Sequence, residues 1–283
     1  SAMTTMPYVT SAVQISKIEV WVTNRVNKVE NTRNIIAFTD LGEERQEYVE
    51  GNPQNFTNEL PDNNANSLYG ELSSNPNIRG FSGAVAALES YNSGNGTAPG
   101  PFNQSIHYEK VENARQLSEQ EFNYNAQLGY ISLKSPLNQD EVLGVAYQYT
   151  YAGRTYQVGE FSNDVPVEEG FKSALDLKLL KATVVNQANK TWDLMMKNVY
   201  YLNAYRLSEE GFTLRIHYRD DLINFDNPSL NQGAETKDIP QVRLLGLDEL
   251  NRNGDRQRYG NFDCMQGMSV DTENGDSMCH VLE

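Results

Sequence analysis

Between Leu143 and Tyr151 every odd position is large and apolar or aromatic: Leu143, Val145, Tyr147, Tyr149 and Tyr151. The positions between them are Gly144, Ala146, Gln148 and Thr150. Period-two alternation predicts a strand with one buried face. Ala152-Gly153 then reads as a two-residue turn. Folding about it sets Tyr149 opposite Tyr156, Tyr147 opposite Val158, Thr150 opposite Thr155 and Gln148 opposite Gln157. Both faces agree with one register, and a one-residue slip would spoil both. This hairpin is the element around which the chain is organised, and it carries no evident chemistry.

The same pattern predicts a strand over Val13–Thr23, with Ile18, Val20 and Val22 on one face and Glu19, Trp21 and Thr23 on the other. Asn34–Leu41 reads as its partner. Residues 51–67 and 92–104, dense in Asn, Pro, Gly and Asp, read as long loops. Ser82–Tyr91 predicts a short helix capped by Ser82 that buries Val85 and Leu88. Ser105–Val111 predicts a strand, and Ser118-Glu119-Gln120-Glu121 a capping box that opens a turn of helix. Leu175–Val185 is apolar and ambiguous between helix and strand. Thr191–Tyr201 predicts a helix burying Trp192, Met195, Met196 and Val199. Phe212–Tyr218 alternates as a strand, 220–240 reads as loop, Val242–Leu250 as helix and Phe262–Leu282 as a hairpin. The polar, Pro-containing stretch Asn163–Gly170 marks a subdomain boundary, dividing 4–165 from 166–283. ARQLSEQEF at 114–122 is echoed weakly by AYRLSEEGF at 204–212, as two related β subdomains would explain. The expected class is mainly β: antiparallel or sandwich-like subdomains with a few short helices and long polar loops.

Composition narrows the function classes. The chain has 283 residues, a formal net charge of -15 and a mean hydropathy of -0.61, yet 16 tyrosines. The aromatics point to a folded protein with polar loops rather than a disordered chain. The acidic balance disfavours nucleic acid and anionic membranes, whose phosphates call for clustered Lys and Arg. No apolar run is long enough for a spanning helix. Ser1-Ala2-Met3 resembles a cloning scar.

Candidate chemistry is sparse. His107, His217 and His280 lie far apart in sequence without metal-ligand spacing. No nucleophile elbow, Walker loop, dinucleotide fingerprint or zinc-protease helix occurs. Asn251, Asn253 and Asp255 place side-chain oxygens at alternate positions, as in the first half of a calcium loop. The match then fails: Arg256 stands where the loop needs Gly, and Phe262 where it needs Glu. A turn-rich loop is the alternative to bound calcium. Asn-x-Ser/Thr sequons begin at Asn55, Asn95, Asn103 and Asn189, as an Asn-rich chain produces by chance. A two-residue turn at Asn274-Gly275 would set Cys279 opposite Val270, which argues against a Cys264–Cys279 disulfide. Two buried thiols are the alternative.

Several long stretches resemble the SprA family, called Sov in some bacteria: IEVWVTNRVNKVENTRNIIAFTDLGE from Ile18, LGYISLKSPLNQDEVLGVAYQYTYAGRTYQVGEFSND from Leu128, TWDLMMKNVYYLNAY from Thr191, VRLLGLDELN from Val242, and NFDCMQGMSVDTENGD from Asn261. These are very large outer-membrane β-barrels of Bacteroidetes, the translocation pore of the type IX secretion system, needed for gliding motility in motile relatives. The resemblance implies an extra-membrane portion of that translocon at the cell outer membrane. Its expected partners are other translocon subunits and secreted cargo proteins, with no enzymatic role and no catalytic residues to carry over. The chain departs from the family at Cys264 and Cys279, which stand at aromatic positions, at His280, where proline is usual, and near Tyr259-Gly260, which lacks an Asp-Gly. These departures weigh against a metal. Gln139-Asp140-Glu141 and Arg154 flank the central hairpin closely, which favours a water-soluble hairpin over a transmembrane one. The rival from another class is a surface carbohydrate-binding or adhesive β module.

Overall fold

In a computed structural model the described residues are 12–41, 67–91, 101–166, 173–196, 199–202, 206–208, 211–220, 224–230, 233–251, 255–265, 269–271 and 276–278. The fold is mainly β. The chain divides into two compact units, Ser11–Met195 and one that contains Met196–Glu283.

The first unit is built on β1 (Gln14–Val22), β2 (Thr32–Phe38), β3 (Tyr108–Gln116), β4 (Phe122–Asn125), β5 (Tyr130–Leu133), β6 (Leu143–Tyr151), β7 (Arg154–Val158) and β8 (Leu175–Lys181). The six-stranded sheet runs β1-β3-β2-β8-β6-β7, with β1 also paired to β6. That extra pairing closes β1, β3, β2, β8 and β6 into a barrel and leaves β7 outside the ring. Within the expected mainly β class, the antiparallel or sandwich-like alternatives give way to a closed ring, because β1 and β6 pair along nearly their whole length, from Gln14↔Thr150 to Val22↔Leu143. Nor is the sheet wholly antiparallel, since β2 and β8 run parallel from Ile35↔Leu175 to Phe38↔Lys178. The central hairpin forms in the expected register, Tyr149↔Tyr156 and Gln148↔Gln157 included. Its turn residues Ala152 and Gly153 have φ of 49° and 79°, the left-handed pair of a type I′ turn.

Alternation decides what fills the barrel. Trp21, Ile35, Leu175, Leu177 and Leu179 form one buried cluster, from alternate positions of three strands. Gly144 stands opposite Trp21 in the β1–β6 register, and a Cβ there would lie 3.3 Å from Leu177 Cδ1 and 3.4 Å from Ala37 Cβ. The outer faces are covered as well. Ile36, Phe38 and Tyr108 pack against Leu72, Ile78, Phe81 and Leu88 of a helical layer, α1 (Ser67–Ser74), α2 (Pro76–Arg79) and α3 (Ala84–Glu89). Val20, Val22, Leu143 and Val145 pack against Phe122, with Ile131 and Leu133, from the β4–β5 hairpin. Gly159, at φ 79°, lets the chain leave β7 against β6: a Cβ there would lie 3.0 Å from Ala146 Cα and Val145 O. Gly159→Ala is expected to cost about 1–3 kcal/mol by overpacking, read as a lower urea midpoint for this unit.

Several expectations are corrected. β2 forms but does not neighbour β1, because β3 lies between them. α3 begins after Gly83 without a side-chain cap, so Ser82 is not the cap, and its buried residues are Ala84 and Leu88 rather than Val85. Only half of the capping box forms: the Ser118 N–H and Oγ–H donate to Glu121 at 2.9 and 3.0 Å, while the Glu121 N–H donates to the Ser118 carbonyl at 2.9 Å, closing a turn between strands and not a helix. The division at Asn163–Gly170 does not separate the units, because β8 beyond it belongs to the barrel. In place of a helix over Thr191–Tyr201 there is a 3-10 turn at Lys190–Trp192 and then β9 (Val199–Tyr201). The aromatic and β-branched run Val199-Tyr200-Tyr201 pairs with a strand, and that tertiary pairing overrides the helical spacing. Thr191 is buried while Met195 and Val199 are exposed.

In the second unit β9, β12 (Val270–Asp271) and β13 (Asp276–Met278) form a three-stranded sheet, and β10 (Tyr218–Asp220) pairs with β11 (Phe225–Asn227). Val242, Leu247, Phe262 and Val270 are the core, with Phe212, Leu214 and Ile216 packed against it. The period-two burial expected over 212–217 is therefore present, but strand pairing begins only at Tyr218. The helix at Val242 is the short α4 (Gln241–Leu244), followed by Gly246 at φ 64°. The closing hairpin forms with Val270 opposite Ser277, not Cys279.

Candidate functional site

Beyond Gly159 the chain turns into the barrel. Phe161 is fully buried in the interior cluster beside Trp21, and three strands hold the segment that follows it. Ser162 donates its N–H and Oγ–H to the Glu19 carboxylate at 2.9 and 3.0 Å. Arg33 donates to the carbonyls of Ser162 and Val165 at 3.1 and 2.7 Å. Asp164 Oδ2 accepts the Phe161 N–H at 3.0 Å and Gln157 Nε2 at 2.7 Å. The Lys17 ammonium lies 3.7 Å from the centre of the Phe161 ring, within cation–π range. Burial lowers the affinity of Arg33 for its proton, opposed by Glu160 and Glu19. The arrangement is a side-chain plug with a polar clamp: Glu19 and Arg33 come from β1 and β2 of the ring, and Gln157 from β7 beside it.

A second cluster ties the helical layer to the barrel. Arg79 makes a bidentate pair with Glu160 through two 2.6 Å hydrogen bonds, and it also donates to the Ala174 carbonyl at 2.9 Å. Tyr69 donates its hydroxyl to Glu160 at 2.8 Å, and the Asp176 N–H donates to the same carboxylate at 2.8 Å. Asp176 is buried, its Oδ2 has no hydrogen-bond partner among the described residues, and Arg79 approaches that oxygen only to 3.8 Å. The hydrogen bond to Glu160 holds Arg79 more firmly protonated. Burial, then the Glu160 charge, pushes the Tyr69 hydroxyl up. Burial and the neighbouring Glu160 raise Asp176 well above the usual carboxylate range, against Arg79. The folded state therefore binds a proton at Asp176 that the unfolded chain has already released. Stability from this group falls as pH rises from the ordinary carboxylate range towards the folded value. Asp176→Asn is expected to raise the melting temperature at neutral pH, with the gain shrinking towards pH ~4, below which both forms are neutral.

Glu160 and Asp176 are thus two carboxylates sharing one arginine, but they lie 4% and 1% exposed beneath the helices. No sugar ring can reach them, so the pair fixes structure and offers no glycosidase geometry.

The second unit has its own buried acids. Asp263 Oδ2 accepts the N–H groups of Glu249 and Leu250, and Arg243 Nε reaches the buried Asp248 carboxylate at 3.0 Å. Burial raises Asp263, and Asp248 and Glu249 add to the shift while the two N–H groups oppose it. The candidate calcium residues meet only in part. Asn251 Oδ1 accepts the Asp255 N–H at 3.0 Å, and the Asn251 N–H donates to the Asp255 carbonyl at 2.9 Å, so the two close a turn on each other. Asn253 lies outside the described residues. Among the described residues no three His, Cys, Asp or Glu side chains are grouped to hold a metal ion.

The remaining residues singled out from sequence stand apart. His107 Nδ1 accepts the Asn103 N–H at 2.9 Å, and burial lowers its proton affinity. His217 is exposed, Cys264 packs half-buried beside the second core, and Cys279 and His280 lie outside the described residues. Sequence reasoning missed Arg79, Glu160 and Asp176. The one available signal is LDLKLL at 175–180, where Asp176 and Lys178 interrupt an apolar run at alternate positions and so mark a second covered face. Compared with family models and with curated proteins, the sequence matches none.

Proposed function

We propose that this chain is a non-enzymatic, extra-membrane domain of an outer-membrane protein-export translocon of the SprA type. It caps, lines or braces the pore, or docks cargo and partner subunits. The observation that carries the reading is that the resembling stretches fall on the framework of a filled and covered barrel. Residues 18–43 and 128–164 supply most of β1, all of β2, β5, β6 and β7, and the Phe161 plug. A five-stranded ring packed with Trp21, Phe161 and leucines has no bore to conduct cargo. Its outer wall buries Asp176 and Lys178 under helices, a placement unsuited to facing lipid. What such a block offers is rigidity, with loops displayed from fixed strands for binding.

The test is in-frame removal of residues 12–196 from the full-length translocon. The expected result is loss of cargo export while the remaining protein still inserts in the outer membrane. Undiminished export would contradict the proposal.

One observation favours the rival. Tyr218 and Phe225 lie on the same face of the β10–β11 hairpin, 45% and 60% exposed, with Asn227 beside them. Exposed aromatic rings next to an amide suit a sugar surface, and a saturable hit in a glycan screen, lost in Phe225→Ala, would move the carbohydrate-binding reading ahead.

A further inference from the structure

A short turn joins the helical layer to the barrel, and an imidazole fastens it. Phe102 is buried, with its ring centre 6.3 Å from that of Phe38 in β2 and 5.5 Å from that of Tyr91 after α3. Its N–H donates to the Leu88 carbonyl of α3 at 3.1 Å. Phe102 therefore anchors the end of the layer to the sheet. The chain then folds back on itself: the His107 N–H donates to the Asn103 carbonyl at 2.9 Å, and His107 Nδ1 accepts the Asn103 N–H at 2.9 Å. The imidazole also stands edge-on to the Phe102 ring, with centres 6.1 Å and planes 85° apart. The His107 carbonyl accepts the Thr39 N–H and Oγ–H at 3.0 and 3.1 Å, which fixes the turn to the end of β2 through groups that do not titrate.

A ring nitrogen that accepts a backbone N–H carries no proton of its own, so neutral His107 keeps its proton on Nε2. Protonation of Nδ1 turns that acceptor into a donor and sets it against the Asn103 N–H. The hydrogen bond is then lost, and a charged ring is left against Phe102. We infer that residues 102–107 form a pH-sensitive latch: neutral His107 fastens Phe102 to the helical layer, and protonated His107 releases it. The charged groups on the elements packed around the turn are Glu89 of α3, Asp40 beyond β2, Glu109 of β3 and Lys178 of β8. The Glu109 carboxylate is taken up by Thr183, and the Lys178 ammonium donates to the Thr39 carbonyl. Together they do not offset burial, which lowers the affinity of His107 for its proton. The unfolded chain therefore takes up that proton first as pH falls. Stability from His107 is fully present above about pH 6.5 and is lost as pH falls from there towards the folded value. Asp176 acts with the opposite sign, since acidification favours its folded form, so it cannot mimic the loss.

The test is a pH titration of the whole chain by nuclear magnetic resonance from about pH 7.5 to about pH 5, the range in which histidine changes charge. The His107 ring nitrogens and the Phe102 and Asn103 amides are followed together, with amide exchange at each pH corrected for the intrinsic rate. The expected result has three parts: a neutral ring protonated at Nε2, a titration midpoint below that of an unperturbed histidine, and loss of Phe102 and Asn103 amide protection with that same midpoint. In His107→Asn, whose amide oxygen accepts an N–H but does not titrate, protection is expected to stay constant over the range. Protection that is unchanged through the His107 transition, a His107 midpoint at or above the unperturbed value, or an equal loss in His107→Asn overturns the inference. Should His107→Asn fail to fold, the wild-type titration decides alone: coincident ring and amide midpoints support the latch, and separate midpoints overturn it.

Discussion

Replacing Arg79 by methionine is expected to destabilise the barrel unit by roughly 3–5 kcal/mol, the usual cost of leaving a buried charge without its partner. The Glu160 side chain is buried and takes two short hydrogen bonds from Arg79. Without the guanidinium it keeps, among the described residues, the Tyr69 hydroxyl and the Asp176 N–H as donors, beside a second buried acid. The Ala174 and Ser73 carbonyls lose a donor at the same time, so the helical layer loosens from β8. Glu160→Gln in the Arg79→Met background is expected to recover part of the loss, because the uncompensated charge is gone. Denaturant midpoints of the two single variants and the double variant check this. Additive losses would show that charge pairing is not what holds the layer.

Trp21→Ala is expected to be as severe, about 3–5 kcal/mol for emptying a large buried aromatic site. Trp21 is fully buried in the cluster with Ile35, Phe161, Leu175, Leu177 and Leu179. Trp21→Phe retains most of the volume and is expected to lose clearly less. Among the described residues the indole Nε1 has no hydrogen-bond partner, so the comparison reads packing rather than a lost bond. Equal losses for the alanine and phenylalanine variants would mean the barrel is not filled by this side chain.

The β6–β7 hairpin was legible in the sequence because its information is local. Alternation and an Ala-Gly turn determine the register without help from distant residues. β1 was legible for the same reason, down to which face Trp21 occupies. Closure of the barrel was not, because it depends on β3 inserting between β1 and β2 across a separation of some seventy residues that no local pattern encodes. The helix expected at Thr191 failed where a spacing that suits a helix met a strand partner, β13, far along the chain. The Arg79–Glu160–Asp176 cluster was hidden for a related reason. Its members come from α2, the segment after β7, and β8, and each charged residue alone reads as solvated surface. Only Asp176 and Lys178, alternating within an apolar run, hinted at a covered charged face. The calcium reading drew on spacing at Asn251 and Asp255, and the structure uses that spacing to close a turn.

The central claim, that this is a pore-associated domain of a secretion translocon, is tested most directly by site-specific photo-crosslinking in the intact machinery while export is active. Val29 and Phe225 are suitable positions, being 89% and 60% exposed, one in each unit. The account predicts crosslinks from at least one of them to translocon subunits or to cargo in transit, diminished when export is blocked. If both positions react only with membrane-impermeant surface reagents and crosslink to no component of the machinery, the claim is contradicted and the adhesive reading takes its place.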